Sequence, residues 1–386
     1  MADKNRTALR WMGFLLLLVA ACGHRAHLAE RPASESADYR SAIVKLKVSE
    51  GEKPTDWKIK RNLGIAYFKT QQINAAIEKL TRAKAINPTD PATLLFLGMS
   101  YESAKKYAEA AAIYRDLAAL KPKSSLRKEL YVRVAKNEHK IYSAEIRKRL
   151  QRLTKGDTAG LPGNSLTVIY FRNLSKWREL APIIKGFAET LTLDLAKIKT
   201  LHLVPRQKLK SLLTVQNYSV AQLYDKMKIS NVGKILQAKQ LLTGGIERIS
   251  ETRIRISAGV VETRSGRLSG AGVSVEGSIA DLLQLQKRLL FKLVDELKIN
   301  PTFEEQTALQ KPVTSSNLAF IGFCKGLDYE DQGHFTQAIH HYRQALARDA
   351  DFDLARQKVT RLPERRLSNS ELEYMVLSKK DRSTFF

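Results

Sequence analysis

A period of 34 residues runs through the first third of the chain and constrains its fold more than any other feature. Four positions follow this spacing: an aromatic residue or Ile, an Ala, a Leu or Tyr, and a Pro. They are Tyr39, Ala42, Leu46 and Pro54, with counterparts 34 and 68 residues later. Such a period indicates stacked helical pairs, because one pair alone cannot bury its apolar face.

Within the period, Leu63-Gly64 and Tyr67 recur as Leu97-Gly98 and Tyr101. The pattern resembles the tetratricopeptide repeat, in which small residues let helices approach closely and a Pro ends the second helix. The residues expected to pack the repeats are Leu63, Gly64, Tyr67, Ala76, Ala83, Pro88, Leu97, Gly98, Tyr101, Ala110 and Pro122. We expect complete repeats at 57–90 and 91–124, after a half-repeat at 37–56. Such an array carries no chemistry and offers a concave face to a peptide or a partner domain.

The 34-residue unit returns once near the C-terminus. Its packing positions are Gly326, Tyr329, Ala338, Tyr342 and Ala345. Because a single repeat cannot bury both of its faces, this one should dock on another part of the chain or on a second subunit. The charged tail that follows is expected to be loose, and its terminal Phe-Phe to have no role.

The N-terminus has the pattern of an export signal. A basic segment precedes an apolar run of 11–20, which is too short to span a bilayer. Val19-Ala20-Ala21-Cys22 resembles the lipobox of bacterial lipoproteins. That resemblance implies cleavage before Cys22, lipidation of Cys22 and a place in the cell envelope. Gly23 follows where an Asp would indicate retention in the inner membrane, which favours the periplasmic face of the outer membrane. An ordinary signal peptide with a chance Cys, or an uncleaved anchor, remains the alternative.

The middle of the chain has the pattern of a layered α/β domain. Strands are predicted at 165–171, around Leu201, and at 240–249, 253–263 and 268–276. Helices are predicted at 179–198, 206–216, 220–227, 231–237 and 279–299. Along 253–261, apolar residues alternate with Arg253, Arg255 and Ser257, which predicts one core face and one solvated or partner face.

The same segment resembles the periplasmic domain of the CsgG-like, FlgO-like and TolB-N-terminal-like proteins. The resemblance rests on Phe171 and Asn173 ending a strand, on Val-Pro-Arg206 opening a helix, on a Thr-Gly-Gly strand at 243–245 and on a hairpin at 263–266. It implies that these residues are structural and that none is catalytic. Assembly or secretion of a surface structure, or outer-membrane maintenance, is the setting it implies. A subunit of a CsgG-like export channel is the alternative, although long amphipathic hairpins for a shared barrel are missing.

Composition bears on the partners. The net charge of +26 favours anionic partners, and for an exported chain that means lipid head groups or acidic proteins rather than nucleic acid. The seven histidines and two cysteines have no metal-ligand spacing, and Cys324 is predicted to be a buried apolar residue. No nucleophile motif occurs. We therefore expect no enzyme, no metal and no cofactor. The expected partners are the membrane, through the lipid, and envelope proteins or peptides, through the repeats; homo-oligomers remain open.

The fold class that follows is α+β: N-terminal all-α repeats, a layered α/β domain and one C-terminal repeat-like hairpin. The predicted segments are a signal peptide 1–21, a tether 22–36, repeats 37–124, a capping or spacer helix 125–153, a linker 154–164, the α/β domain 165–299, a linker 300–314, the C-terminal repeat 315–362 and a charged tail 363–386.

Overall fold

The computed structural model describes residues 37–155, 160–175 and 177–385, so the predicted signal peptide, the tether and Cys22 lie outside the described residues. The chain forms two compact units. Among the described residues, the first contains 37–122 together with 367–385, and the second contains those of 123–366. Each unit has its own tetratricopeptide-like hairpins, and helix outweighs strand throughout.

The first unit begins with antiparallel helices. The chain is helical over 37–52 (α1), and four helices follow. They are α2 (Trp57–Lys69), α3 (Ile73–Ile86), α4 (Pro91–Ser103) and α5 (Tyr107–Ala119). Asp56 and Asp90 cap α2 and α4, each accepting a hydrogen bond from a backbone N–H of the first turn. The caps explain why both helices begin directly after the turns that contain Pro54 and Pro88.

The second unit is built around a six-stranded sheet. A long helix, α6 (Ser124–Thr154), precedes it and packs on helices of this unit. The strands are β1 (Ser165–Val168), β2 (Arg172–Asn173), β3 (His202–Leu203), β4 (Gln240–Arg248), β5 (Arg253–Glu262) and β6 (Val273–Ser278). The order is β3-β1-β4-β5-β6, with β2 also pairing to β4. β1, β2 and β3 run parallel to their neighbours, whereas β4, β5 and β6 form an antiparallel meander.

Helices connect and cover this sheet. They are α7 (Leu180–Leu195), α8 (Arg206–Gln216), α9 (Lys226–Leu236) and α10 (Leu282–Glu296), with 3₁₀ turns at Val220–Tyr224 and Ile279–Asp281. α7 packs on β1 and β2, and α10 packs on β5 and β6. Burial along β5 follows the predicted alternation: Ile254, Ile256 and Val260 are buried, whereas Arg253 is exposed.

Two predicted strands have different bounds. The strand predicted over 165–171 ends at Val168, and β2 follows beyond the predicted bounds. Five residues from Val168 to Arg172 face four from Leu242 to Gly245. The extra residue is accommodated as a bulge. The strand predicted to begin at 268 begins at Val273, since Gly270 and Gly272 have positive φ and the chain turns there.

The predicted linker 300–314 contains a helix, α11 (Phe303–Gln310). Thr302 and Glu305 form a capping box, in which each side chain accepts the other's backbone N–H. Leu309 is fully buried, and its carbonyl accepts a hydrogen bond from Lys287 Nζ at 2.7 Å. The segment is therefore part of the second unit's core rather than a polar linker, and the Thr-x-x-Glu pattern is the signal that identifies it.

The C-terminal repeat consists of α12 (Asn317–Asp331), α13 (Phe335–Arg348) and the shorter α14 (Asp353–Arg361). It docks on the α/β domain through α7 and α12. At their crossing a Cβ atom on Gly186 would lie 2.1 Å from Cys324 Sγ, so glycine is required there. Cys324 is buried as predicted, and burial raises the pKa of its thiol.

The C-terminal tail is not loose. Residues 367–385 belong to the first unit and contain α15 (Asn369–Val376) and α16 (Lys379–Ser383). Ser368 with Glu371, and Ser378 with Asp381, form capping boxes that fix both helices. Leu372 and Phe385 are buried, so the prediction of a solvated tail with a chance terminal Phe-Phe is wrong. The capping-box spacing is readable in the sequence, whereas the surface that the tail covers is not.

Candidate binding surfaces

The predicted packing residues meet in pairs inside each repeat. A Cβ on Gly64 would lie 2.5 Å from Leu80 Cγ, and one on Gly98 would lie 2.5 Å from Tyr114 Cε1. The same contact recurs in the second unit, between Gly326 and Tyr342 Cε1. Buried with them are Leu63, Tyr67, Ala76, Ala83, Leu97, Ala110, Ala338 and Ala345, whereas Pro88 is exposed and Tyr101, Pro122 and Tyr329 are half-buried.

The repeats also share a polar contact that our sequence reasoning missed. Tyr114 Oη donates a hydrogen bond to Glu102 at 2.9 Å, and Tyr342 Oη donates one to Glu330 at 2.6 Å. In both repeats the Glu lies four residues after the glycine, and the Tyr 16 residues after it. Burial and the neighbouring Glu330 carboxylate raise the pKa of Tyr342, so this hydroxyl keeps its proton. The shared spacing is the signal that could have identified it.

In the first unit, α4 is covered on every side. All residues from Ala92 to Ser100 are buried, which is unusual for a helix of a repeat array that offers a binding face. Helices α3 and α5 cover one side of α4, while α2 and α15 of the tail cover the rest. We call the surface of α1, α2 and α4 that the tail contacts the tail-binding face.

Two ion pairs and an aromatic pair are among the contacts that hold the tail on this face. Lys69 Nζ donates to Glu373 Oε2 at 2.6 Å, and both side chains are largely buried. Arg61, only 5% exposed, forms an ion pair with Asp381 and lies 3.5 Å from Asp90. The Phe385 ring packs on Tyr39 with centroids 5.1 Å apart.

Ser378 and Arg61 together keep Asp381 ionised. Burial alone would raise the pKa of this carboxyl, but hydrogen bonds from Ser378 and the charge of Arg61 outweigh it and lower the pKa below its usual value. The carboxylate therefore stays ionised at neutral pH. Because Ser378 belongs to the tail itself, only the part of the depression that Arg61 supplies contributes to docking. That contribution is complete above the usual Asp range and is lost as the pH falls through the lowered value.

A second surface lies on the sheet of the other unit. α7 and α10 cover one face, and the other carries a shallow cavity of about 920 Å³ over β4, β5 and β6. Its floor consists of small residues, among them Gly245, Ser257 and Gly259. Leu174 and Leu268, both substantially exposed, stand at its sides. An open, partly apolar depression of this kind suits a bound polypeptide segment better than a small molecule, because small molecules bind in cavities that enclose most of their surface.

A cluster of charges joins the C-terminal repeat to the α/β domain within the second unit. Asp331 of α12 accepts hydrogen bonds from Arg206 Nη2 at 2.5 Å and Lys210 Nζ at 3.1 Å, with Lys185 Nζ at 3.7 Å. Burial would raise the pKa of Asp331, but these three cations hold it below its usual value. Arg206 is thus an interface residue, and every one of these groups has a partner.

The exposed side of α6 is basic. Lys140, Arg147, Lys148 and Arg152 are exposed and follow one another at helical spacing. Within the described residues, no carboxylate lies within 4 Å of them. Burial, together with the charges of Lys140, Lys210 and Arg147, lowers the pKa of His139, which shares a 2.7 Å hydrogen bond with Ser211. This positive surface suits an anionic partner.

The described residues contain no group of three His, Cys, Asp or Glu side chains that could hold a metal ion. His340 and His341 have their rings 5.4 Å apart, and the ring of His341 stacks on Tyr329. Ser211, the partner of His139, is completely buried and so is not accessible to a substrate. Among the helices of the described residues, none has the length and the apolar composition needed to cross a membrane.

Comparison with known proteins supports the repeat assignment. A family model described as tetratricopeptide repeat matches residues 61–125 and 325–357. The chain therefore contains tetratricopeptide repeats in both of its units. No curated protein matches the sequence.

Similar solved structures include two lipoproteins and a repeat protein. The lipoprotein GNA1162 from Neisseria meningitidis is 16% identical, with a TM-score of 0.26, over 35% of this chain and 96% of its own. The LpoB C-terminal domain from Salmonella enterica is 16% identical, with a TM-score of 0.24, over 36% and 96%. A tetratricopeptide repeat protein from Parabacteroides merdae is 11% identical, with a TM-score of 0.23, over 86% and 96%. These low TM-scores do not establish a shared fold.

Proposed function

We propose that this chain is a non-catalytic scaffold of the bacterial cell envelope, anchored by lipid on Cys22, that holds polypeptide segments of other envelope proteins. The observation that carries the proposal is the tail-binding face, which holds a polypeptide segment through Arg61, Lys69 and Tyr39. Tetratricopeptide repeats in both units support it. The open sheet face offers a second place for a partner.

The setting we propose is assembly or secretion of a surface structure, or outer-membrane maintenance, at the periplasmic face of the outer membrane. The order of motifs that resembles the CsgG-like and FlgO-like domain supports this setting, and the basic side of α6 suits an anionic membrane surface. A pore-forming role receives no support from β5. Its apolar face is buried, and Arg255 on its other face pairs with Glu247 and Glu276 of the neighbouring strands.

Photo-crosslinking at the open sheet face tests the scaffold proposal. A photo-crosslinking amino acid replaces Leu268, beside the cavity, and in a control chain it replaces Phe303, which is 83% exposed outside the cavity. We expect one or a few discrete envelope proteins to crosslink at position 268 and not at 303. Equal, diffuse crosslinking at both positions, or none at 268, would contradict a protein-binding role for this face.

The anchor is tested separately. With Cys22→Ser we expect loss of labelling by a fatty-acid probe and release of the chain from the membrane pellet, because the thioether-linked lipid has no other attachment site. The matched control is Cys324→Ala, which removes the other cysteine and should leave labelling unchanged. If the Cys22→Ser chain still pellets fully, the lipid is not what tethers it.

A further inference from the structure

The tail-binding face is filled by the chain's own C-terminus, and this bears on what else can bind there. The tail presents two carboxylates, Glu373 and Asp381, to two cations of α2, and one aromatic ring, Phe385, to Tyr39. Within the described residues, Lys69 has no other carboxylate within 4 Å. The face therefore has a defined complement: two negative charges and an aromatic group.

The tail has the features of a displaceable ligand. Its helices are short, α15 with 8 residues and α16 with 5, and each begins with its own capping box. Few of its apolar side chains are deeply buried, namely Leu372, Leu377 and Phe385, whereas Tyr374 is 69% exposed. A short segment that buries little apolar surface and depends on ion pairs opens at a lower free energy than the core of its unit.

We propose that the tail, residues 367–385, is a built-in competitor for the tail-binding face. A partner must displace it, and the partner segment that can do so carries two carboxylates and an aromatic ring in the same arrangement. The proposal rests on the proposed function, because it requires this face to bind polypeptide, and it adds the chemistry of the partner and the device that regulates access. The apparent affinity of an external segment is then its intrinsic affinity multiplied by the fraction of chains whose tail is undocked.

The test uses the full chain and a labelled synthetic peptide with the sequence of residues 367–386. In one chain Glu373→Gln and Asp381→Asn remove both carboxylates from the tail; in the matched control Lys379→Gln and Lys380→Gln change two exposed residues of the same segment. We expect the peptide to bind the first variant about tenfold more tightly than the unchanged chain, by fluorescence anisotropy, and the control no more tightly. Equal affinity for all three chains would overturn the proposal.

A charge swap distinguishes release of the tail from unfolding of the variant. Lys69→Glu alone should release the tail and repel the peptide, and Glu373→Lys added to it should restore the docked tail, measured as hydrogen-exchange protection of α15. Failure of the double variant to recover protection would show that the ion pair does not hold the tail.

A dimer in light scattering that dissociates when the peptide is added would mean that tails exchange between copies, and would overturn docking within one chain. Since the crosslinking test uses the sheet face, the two proposals can fail separately.

Discussion

Replacing Asp331 by Asn should lower the free energy of unfolding of the second unit by about 3 kcal/mol, the range seen when one member of a buried ion pair is removed. The reason is the surroundings of the carboxylate. Arg206, 14% exposed, would lose its nearest carboxylate and keep Glu189 at 3.5 Å and the ring of Tyr170. Lys185 would keep Asp328 at 2.5 Å, whereas Lys210 would face a neutral amide. The matched control is Asp351→Asn, because Asp351 is fully exposed and 3.9 Å from Arg356; its effect should stay within about 0.5 kcal/mol.

Cys324 provides a local measurement of this effect. Its thiol is buried where α12 meets α7, and it reacts with a thiol reagent only when that interface opens. In a Cys22→Ser background, Asp331→Asn should raise the modification rate about 100-fold, since each 1.4 kcal/mol is about tenfold. An unchanged rate would show that the three cations do not depend on Asp331.

The effect of Asp331 depends on pH in a defined direction. The pKa of this carboxyl is lowered in the folded chain, so its contribution to stability is complete above the usual Asp range and is lost as the pH falls through the lowered value. The difference between the unchanged chain and Asp331→Asn should therefore be constant near neutrality and shrink only in acid. A difference that shrinks between pH 8 and pH 6 would contradict this origin.

Gly98→Ala should destabilise the first unit by about 2 kcal/mol, although alanine is the better helix former. The added Cβ would lie 2.5 Å from Cε1 of Tyr114, a fully buried ring that is also held by its hydrogen bond to Glu102. The ring cannot move aside without losing packing and that hydrogen bond. The measurement is urea unfolding followed by circular dichroism.

Gly51→Ala is the control for this substitution. Gly51 also lies in a helix of the first unit, but a Cβ there meets nothing within 4 Å. The substitution should stabilise the chain by up to about 1 kcal/mol, through helix propensity alone. The two glycines are thus expected to give effects of opposite sign. Effects of the same sign would mean that close helix packing does not explain the glycine at 98.

Local patterns determined most of the elements. The 34-residue period fixes the helical pairs, because a glycine and a large residue 16 positions later must meet when two helices pack, as Gly98 and Tyr114 do. Alternation along β5 fixes which side is core, since successive side chains point to opposite faces of a strand. These features need only neighbours along the chain or the adjacent helix. They can therefore be predicted from the sequence alone.

Contacts between distant residues were decided only by the tertiary structure. Nothing near Lys69 indicates Glu373, and nothing near Arg206 indicates Asp331, because ion pairs over such separations depend on how complete elements dock. The prediction of a loose tail is wrong for this reason. The composition of the tail is that of a solvated segment, and only Arg61, Lys69 and Tyr39, which are distant in the sequence, provide the surface on which it docks. The sequence by itself determined the repeats and the strands, whereas the folded chain decided which surface its own C-terminus covers.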